Sequence, residues 1–198
     1  MIICHEPKIV FVKPNKIAGT SIVNTLSMSI KFDDSLRNLS KGDHESYRQI
    51  EQTIPIEKYY VFSFTRNPWD RLISMFKYMK EIEIPKRKKM NIQYDEKLEK
   101  MTFNEYISSD DVFKPRSFYD FFKNNDGKIN LDFIGKFEDL VVDFKRVERH
   151  TNLKFEKLAH RYKTNHKEYT EYYTDETQKI VAKQYANDIK YFNYEFGS

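Results

Sequence analysis

This 198-residue sequence predicts an α/β fold, a single domain with a mainly parallel central sheet flanked by helices. Two observations predict it. A short apolar run, a turn and then a helical repeat occur in that order near Lys8 and again near Tyr59. A third strand–helix pairing follows near Asp132, and strands that alternate with helices pair in parallel.

The elements follow in chain order. Lys8 to Lys13 (KIVFVK) is apolar and β-branched and reads as a buried strand, which Pro14-Asn15 ends. From Gly19 onward Ile22, Leu26 and Ile30 recur at helical spacing, so the first unit is a P-loop-like strand–loop–helix. A short helix is expected over Glu45 to Thr53. Tyr59 to Thr65 (YYVFSFT) is the second strand, and Asn67-Pro68 turns the chain. Trp69, Leu72, Ile73 and Phe76 then mark one helix face, with Pro68 suited to the first turn and Ser74 off the apolar stripe. Pro85 to Lys100 is polar and poorly periodic and reads as an exposed, mobile loop. Asp132 to Phe137 is the third strand, with a helix over Asp139 to His150 whose Leu140, Phe144 and Val147 point inward. A last helix runs from Thr174 to Lys190, with Asp175 and Glu176 placed to complement its dipole. No repeat or linker interrupts residues 1–198, which read as one domain.

Composition narrows the function. Lys and Arg (34) nearly balance Asp and Glu (30), and a net charge of +4 excludes a nucleic-acid binder that relies on bulk charge. It suits one local basic site for a small polyanion. Cys4 is the only cysteine, so no intrachain disulfide forms, as in a reducing compartment. Met1 to Pro7 lacks the features of a signal peptide, and the longest apolar runs, such as Tyr59 to Phe64, are too short to span a bilayer. A soluble, cytoplasmic protein is expected.

Two segments carry chemistry. Lys13-Pro14-Asn15-Lys16-Ile17-Ala18-Gly19-Thr20-Ser21 lies between the first strand and its helix. Such a loop offers backbone N–H groups and a helix N-terminus to an anion. Gly19 permits close approach, Thr20 and Ser21 add hydroxyls, and Lys16 adds charge. By itself the loop fits a helix cap equally well. Its Lys16 precedes Gly19, whereas the nucleotide-kinase loop has its lysine after the last glycine and a hydroxyl on magnesium. No acidic residue closing a later strand is placed to hold that metal. The second segment is Thr65-Arg66-Asn67-Pro68-Trp69-Asp70-Arg71-Leu72-Ile73-Ser74. Arg66 ends a strand, where ligands of open α/β sheets bind, and could grip a phosphate with Ser74. Alone, an Arg66–Asp70 ion pair and an exposed Ser74 fit this segment better.

Together, K-x-x-G-T-S and R-N-P-W-D-R-L-I-S resemble the PAPS-dependent sulfotransferases, in the branch of the Golgi carbohydrate sulfotransferases and their small bacterial relatives. (PAPS is 3′-phosphoadenosine-5′-phosphosulfate and PAP its desulfated product.) The resemblance implies that Lys16, Ile17, Ala18, Gly19, Thr20 and Ser21 hold the 5′-phosphosulfate, and that Arg66 and Ser74 hold the 3′-phosphate. It extends to Phe133-Ile134-Gly135-Lys136-Phe137-Glu138, like the family's late strand with its aromatic-Glu close, and to the segment from Tyr172 to Tyr194. Asn15 departs from the family, where proline often precedes the lysine.

The implied reaction is in-line transfer of the sulfuryl group to a hydroxyl, with a carbohydrate acceptor expected and no metal. Lys16 would neutralise the leaving phosphate and His44, in Gly42-Asp43-His44-Glu45, would be the general base, because histidine accepts a proton near neutral pH. Relatives that use glutamate make Glu45 the rival base. Lys167 is a candidate late phosphate contact, against the plainer reading of a solvated lysine. Trp69 could stack on adenine, though its spacing suits the core. Lys86-Arg87-Lys88-Lys89 could attract an anionic polysaccharide or simply be solvated. His160 and His166 lack a third ligand at metal-site spacing. The competing classes are a nucleotide-phosphate binder without a base and, further off, a small P-loop kinase.

Overall fold

The computed structural model describes residues 1–29, 44–153 and 167–198. Ile30, Gly42, Asp43, His160 and His166, named above, lie outside the described residues. The chain forms two compact units, one of Met1–Arg66 with Phe118–Tyr162 and one of Asn67–Ser117 with Lys163–Ser198.

The first unit holds the sheet. Its described strands, β1 (Ile2–His5), β2 (Lys8–Phe11), β3 (Tyr60–Thr65) and β4 (Phe133–Lys136), lie in that order. β1 and β2 are antiparallel, while β2–β3 and β3–β4 are parallel. The three parallel strands are the three expected from sequence. β1 was not expected: Ile2, Ile3 and Cys4 are buried and form a hairpin with β2 across Glu6-Pro7. β3 is the middle of the three parallel strands, and Val61 to Thr65 are all buried, as a strand covered on both faces requires. Its Ser63 hydroxyl is satisfied by donating to the Val12 carbonyl at 2.7 Å.

Among its described residues this unit also carries helices α1 (Gly19–Ser29), α2 (Tyr47–Glu51), α7 (Phe118–Phe122) and α8 (Leu140–Thr151). α1 buries Ile22 and Leu26 fully, as its spacing predicts. α8 buries Phe144 and Val147 as expected, while Leu140, in its first turn, is only half-buried. It is tied to β4 by Asp143, whose carboxylate accepts the Lys136 N–H at 2.8 Å. Gly135 makes that closeness possible. A Cβ there would lie 2.5 Å from the Phe64 ring and 3.0 Å from Asp143 Cβ. Gly135→Ala should therefore lower stability by roughly 1–3 kcal/mol, the usual cost of overpacking a filled core, read as a lower denaturant midpoint with unchanged slope.

The second unit is helical among its described residues. α3 (Pro68–Tyr78) starts as its sequence predicts, with Asn67 as N-cap accepting the Trp69 N–H and proline in the first turn. It packs Trp69, Leu72, Ile73 and Phe76 into a core shared with Phe103, Tyr106, Val181 and Tyr185. Residues 85–100 are not the loop expected above. They carry α4 (Ile84–Lys89), which follows a π-helical turn over Met79–Glu83, and α5 (Glu96–Lys100). Asp95 caps α5, Arg87 Nε pairs with Glu83 at 2.7 Å, and Lys88 pairs with Glu99. Each helix has five or six residues and buries one of them, Ile84 or Leu98, so no period could show. α6 (Phe103–Ser108), with its Thr102–Glu105 capping box, was also unforeseen. The last predicted helix begins where Thr174 caps it but is two: α9 (Asp175–Gln184) and α10 (Ala186–Phe192). They break at Tyr185, whose backbone leaves the helical region (φ −110°, ψ 27°) while its hydroxyl donates to the Pro115 carbonyl at 2.7 Å.

Candidate active site

In the first unit the carboxyl ends of three parallel strands point the same way, and each is followed by a residue of the candidate site. Pairing continues one residue past β2 and β4. The Val12 N–H donates to Phe62 O at 3.0 Å, and the Phe137 N–H donates to Thr65 O at 2.7 Å. The parallel register matches Thr65 with Lys136, so Arg66 and Phe137 fall side by side. The Arg66 guanidinium lies over the Phe137 ring, 4.0 Å from its centroid, and is 7% exposed. Its Nη1 donates to the Lys16 carbonyl at 3.2 Å, clamping the β2–α1 loop to the end of β3.

That loop has an unusual backbone. Lys16 (φ 67°) and Ala18 (φ 60°) are both left-handed without being glycine. Each such residue costs of order 1–3 kcal/mol and persists only where its surroundings impose it. Here Ile17, fully buried between them, and the Arg66 bond impose it. Left-handed residues turn successive N–H groups inward into a nest that suits an anion. Ala18 also accepts the first α1 bond, from Ile22 N at 3.1 Å, so the nest opens onto a helix N-terminus. Gly19 and Ser21 are buried and Thr20 is exposed.

The charge of the loop is concentrated. Burial, and then the nearby Arg66 charge, push the Lys16 pKa down to about 8. A second cation packed against a half-buried lysine raises the cost of keeping it charged, and a bound anion would remove that cost. The group can hold a polyanion with two cations and backbone donors.

His44 sits in a turn just before α2, exposed, with Nδ1 2.9 Å from the Lys13 carbonyl. A carbonyl only accepts, so Nδ1 carries the proton and the neutral ring keeps its lone pair on Nε2. The neighbouring Glu45 has one carboxylate oxygen, Oε2, that is buried and lacks a hydrogen-bond partner. The expected helix over Glu45 to Thr53 is the shorter α2, capped by Ser46 with Gln49.

The remaining expected residues lie in the second unit. Ser74 is on α3 and only 3% exposed, so it is not the solvated helix serine that α3's sequence would also allow. Lys167 is exposed and lies 3.4 Å from Glu171. Trp69 belongs to the core, its indole N–H donating to Gln178 O at 3.2 Å and its ring edge-on to Phe196. It is not a stacking platform for a base. In the basic run Arg87 and Lys88 are held by Glu83 and Glu99. The contact of Phe137 with Arg66 is not among the expectations from sequence. Its signal was the aromatic-Glu close of the third strand.

The sulfotransferase-family model matches residues 1–195. Among solved structures, the crystal structure of mouse sulfotransferase SULT7A1 complexed with PAP is similar, with a TM-score of 0.59 at 14% identity over 96% of this chain and 87% of that one. No curated protein matches. With the family model spanning nearly the whole sequence and the fold shared, the chain belongs to the sulfotransferase family.

Proposed function

We propose that the protein transfers the sulfuryl group of PAPS to a hydroxyl of a carbohydrate acceptor, with Lys16 and Arg66 on the donor and His44 as general base. The observation that carries this reading is the convergence of Lys16 and Arg66 on one strained, anion-shaped loop. The family match and the PAP bound to the mouse relative support the choice of donor. PAPS supplies an activated sulfuryl group on its 5′-phosphate. The Lys16–Ser21 loop, with Ile17 and Ala18 offering backbone, would hold that end. The resemblance of the Arg66…Ser74 segment supports giving those two side chains the 3′-phosphate, and Lys167, as a basic residue late in the chain, is given a further phosphate contact.

His44 takes the acceptor's proton at Nε2 as the new oxygen–sulfur bond forms, and Lys16 neutralises the charge left on the departing phosphate. This chemistry needs no metal and no covalent intermediate. A second assignment of the base is favoured by one observation: the buried, unpartnered Glu45 Oε2 lacks a donor that an acceptor hydroxyl could supply. A single buried cysteine fits a reducing, cytoplasmic setting, and no described helix is long and apolar enough to cross a membrane.

The donor assignment is tested by calorimetry with PAP and AMP, which differ in the 3′-phosphate. PAP should bind much the more tightly. Arg66→Ala should erase most of the preference, since a charged hydrogen bond is worth roughly 1.5–3 kcal/mol. Equal wild-type affinity for the two nucleotides would overturn the assignment.

A further inference from the structure

The β2–α1 loop carries a second lysine to which the reading above gives no role. Lys13 follows Val12, whose N–H pairs with β3, so its backbone is held at the sheet edge. Its side chain lies along Gly19. A Cβ added at Gly19 would meet Lys13 Cγ at 2.8 Å, Cε at 3.1 Å and Cδ at 3.2 Å. Gly19 begins α1 and its backbone is not left-handed, so its conformation does not call for glycine. The space a side chain would fill is taken by the aliphatic stem of Lys13. Helical Cα–Cβ bonds tilt toward the N-terminus, so that stem runs over the open end of α1. The ammonium lies one bond beyond Cε, so the charge of Lys13 is carried close to Gly19, the residue that opens α1.

We propose that Lys13 is a second lysine of the donor site, laid over Gly19 so that its ammonium meets the 5′-phosphate end of the nucleotide. The proposal rests on the donor reading above and adds a substrate-binding residue to it. It also gives Gly19 a reason of its own: the missing side chain makes room for a cation. Because the Lys13 carbonyl accepts from His44, the same residue fixes a donor contact with its side chain and the base with its backbone.

The experiment is calorimetric binding of PAP and of AMP to the wild type, Lys13→Met and Lys13→Arg at two salt concentrations. Both nucleotides carry the 5′-phosphate, so Lys13→Met should weaken both by a similar factor, roughly tenfold, and make binding less sensitive to salt. Lys13→Arg keeps the charge and the stem and should stay within about threefold of wild type, which separates lost charge from lost folding. Gly19→Ala should also weaken binding, and adding Lys13→Ala to it should cost little more, because the added methyl has already displaced the lysine. Lys13→Met affinities within about twofold of wild type for both nucleotides, with unchanged salt dependence, would overturn the proposal. A wild type that binds PAP no better than AMP would instead remove the 3′-phosphate assignment, while the Lys13 comparison on AMP would still decide this one.

Discussion

His44→Ala should cut sulfuryl transfer by roughly 10²–10⁴-fold, the usual worth of a general base, while leaving PAP affinity nearly unchanged. The split follows from where His44 stands. It is held to the loop by its Nδ1–H bond to the Lys13 carbonyl, the tautomer that leaves Nε2 as the proton acceptor. Removing the ring takes nothing from the donor's phosphates. Wild-type turnover should also fall on the acid side, because a doubly protonated imidazole can no longer accept a proton. Single-turnover rates beside PAP binding, for wild type and variant across pH, make the measurement. Near-normal turnover in His44→Ala with the acid limb intact would move the role to Glu45, and Glu45→Gln would then show the larger loss.

Lys16→Ala should do what His44→Ala does not and weaken both binding and chemistry. The ammonium serves the bound anion and also the charge that grows on the leaving phosphate. Affinity should fall by roughly 1.5–3 kcal/mol and the transfer step by about a further 10²–10³-fold. Its pH behaviour is specific. The Lys16 pKa, about 8 in the folded protein against an ordinary value of 10.5, is depressed by burial first and by Arg66 second. An anion binds the charged form, so PAP binding should draw protons from solution near and above pH 8 and weaken as pH rises further. The same depression acts on stability without ligand. Folding disfavours the charged lysine, so this residue's contribution improves as pH climbs through about 8 toward 10.5. Above about pH 10 the buried tyrosines Tyr106, Tyr173 and Tyr185 oppose it, because their pKa values are raised in the fold. Proton uptake that is the same in wild type and Lys16→Ala would show that another group is responsible.

The sheet's parallel part was legible in the sequence because each of its strands is a short apolar run beside a turn, and β3 in particular is buried along five consecutive residues. What escaped was short. β1 has four residues at the chain start, and α4 and α5 bury one side chain each, too few for any period. The break at Tyr185 could not be read because no spacing marks it, and the hydroxyl bond that holds this residue reaches Pro115, 70 residues away. At the site, Lys16, Gly19 and Arg66 were legible as motif residues. The left-handed backbone at Lys16 and Ala18 was not, since neither is a residue type that announces it. The same holds for the Phe137 face under Arg66 and for Lys13 over Gly19, which depend on register and packing rather than on spacing.

The parallel pairing has a consequence for how the molecule is made. The bond from Arg66 to the Lys16 carbonyl joins residues 50 apart, the Ser63–Val12 bond spans 51, and the Asp132–Val61 bond spans 71. Among the described strands the β1–β2 hairpin alone can close early, on the microsecond scale of local pairing. Every other strand contact must wait for loop closure over long stretches, which makes such topologies slow to fold. As the chain emerges from the ribosome, Lys16 and Gly19 are exported well before Arg66, and Arg66 well before Phe137. The first strand–loop–helix therefore exists for a time without the side chains that bend it into shape. Until β4 arrives, β3 exposes an apolar edge open to wrong partners, and slower synthesis or lower temperature during expression should raise the soluble yield.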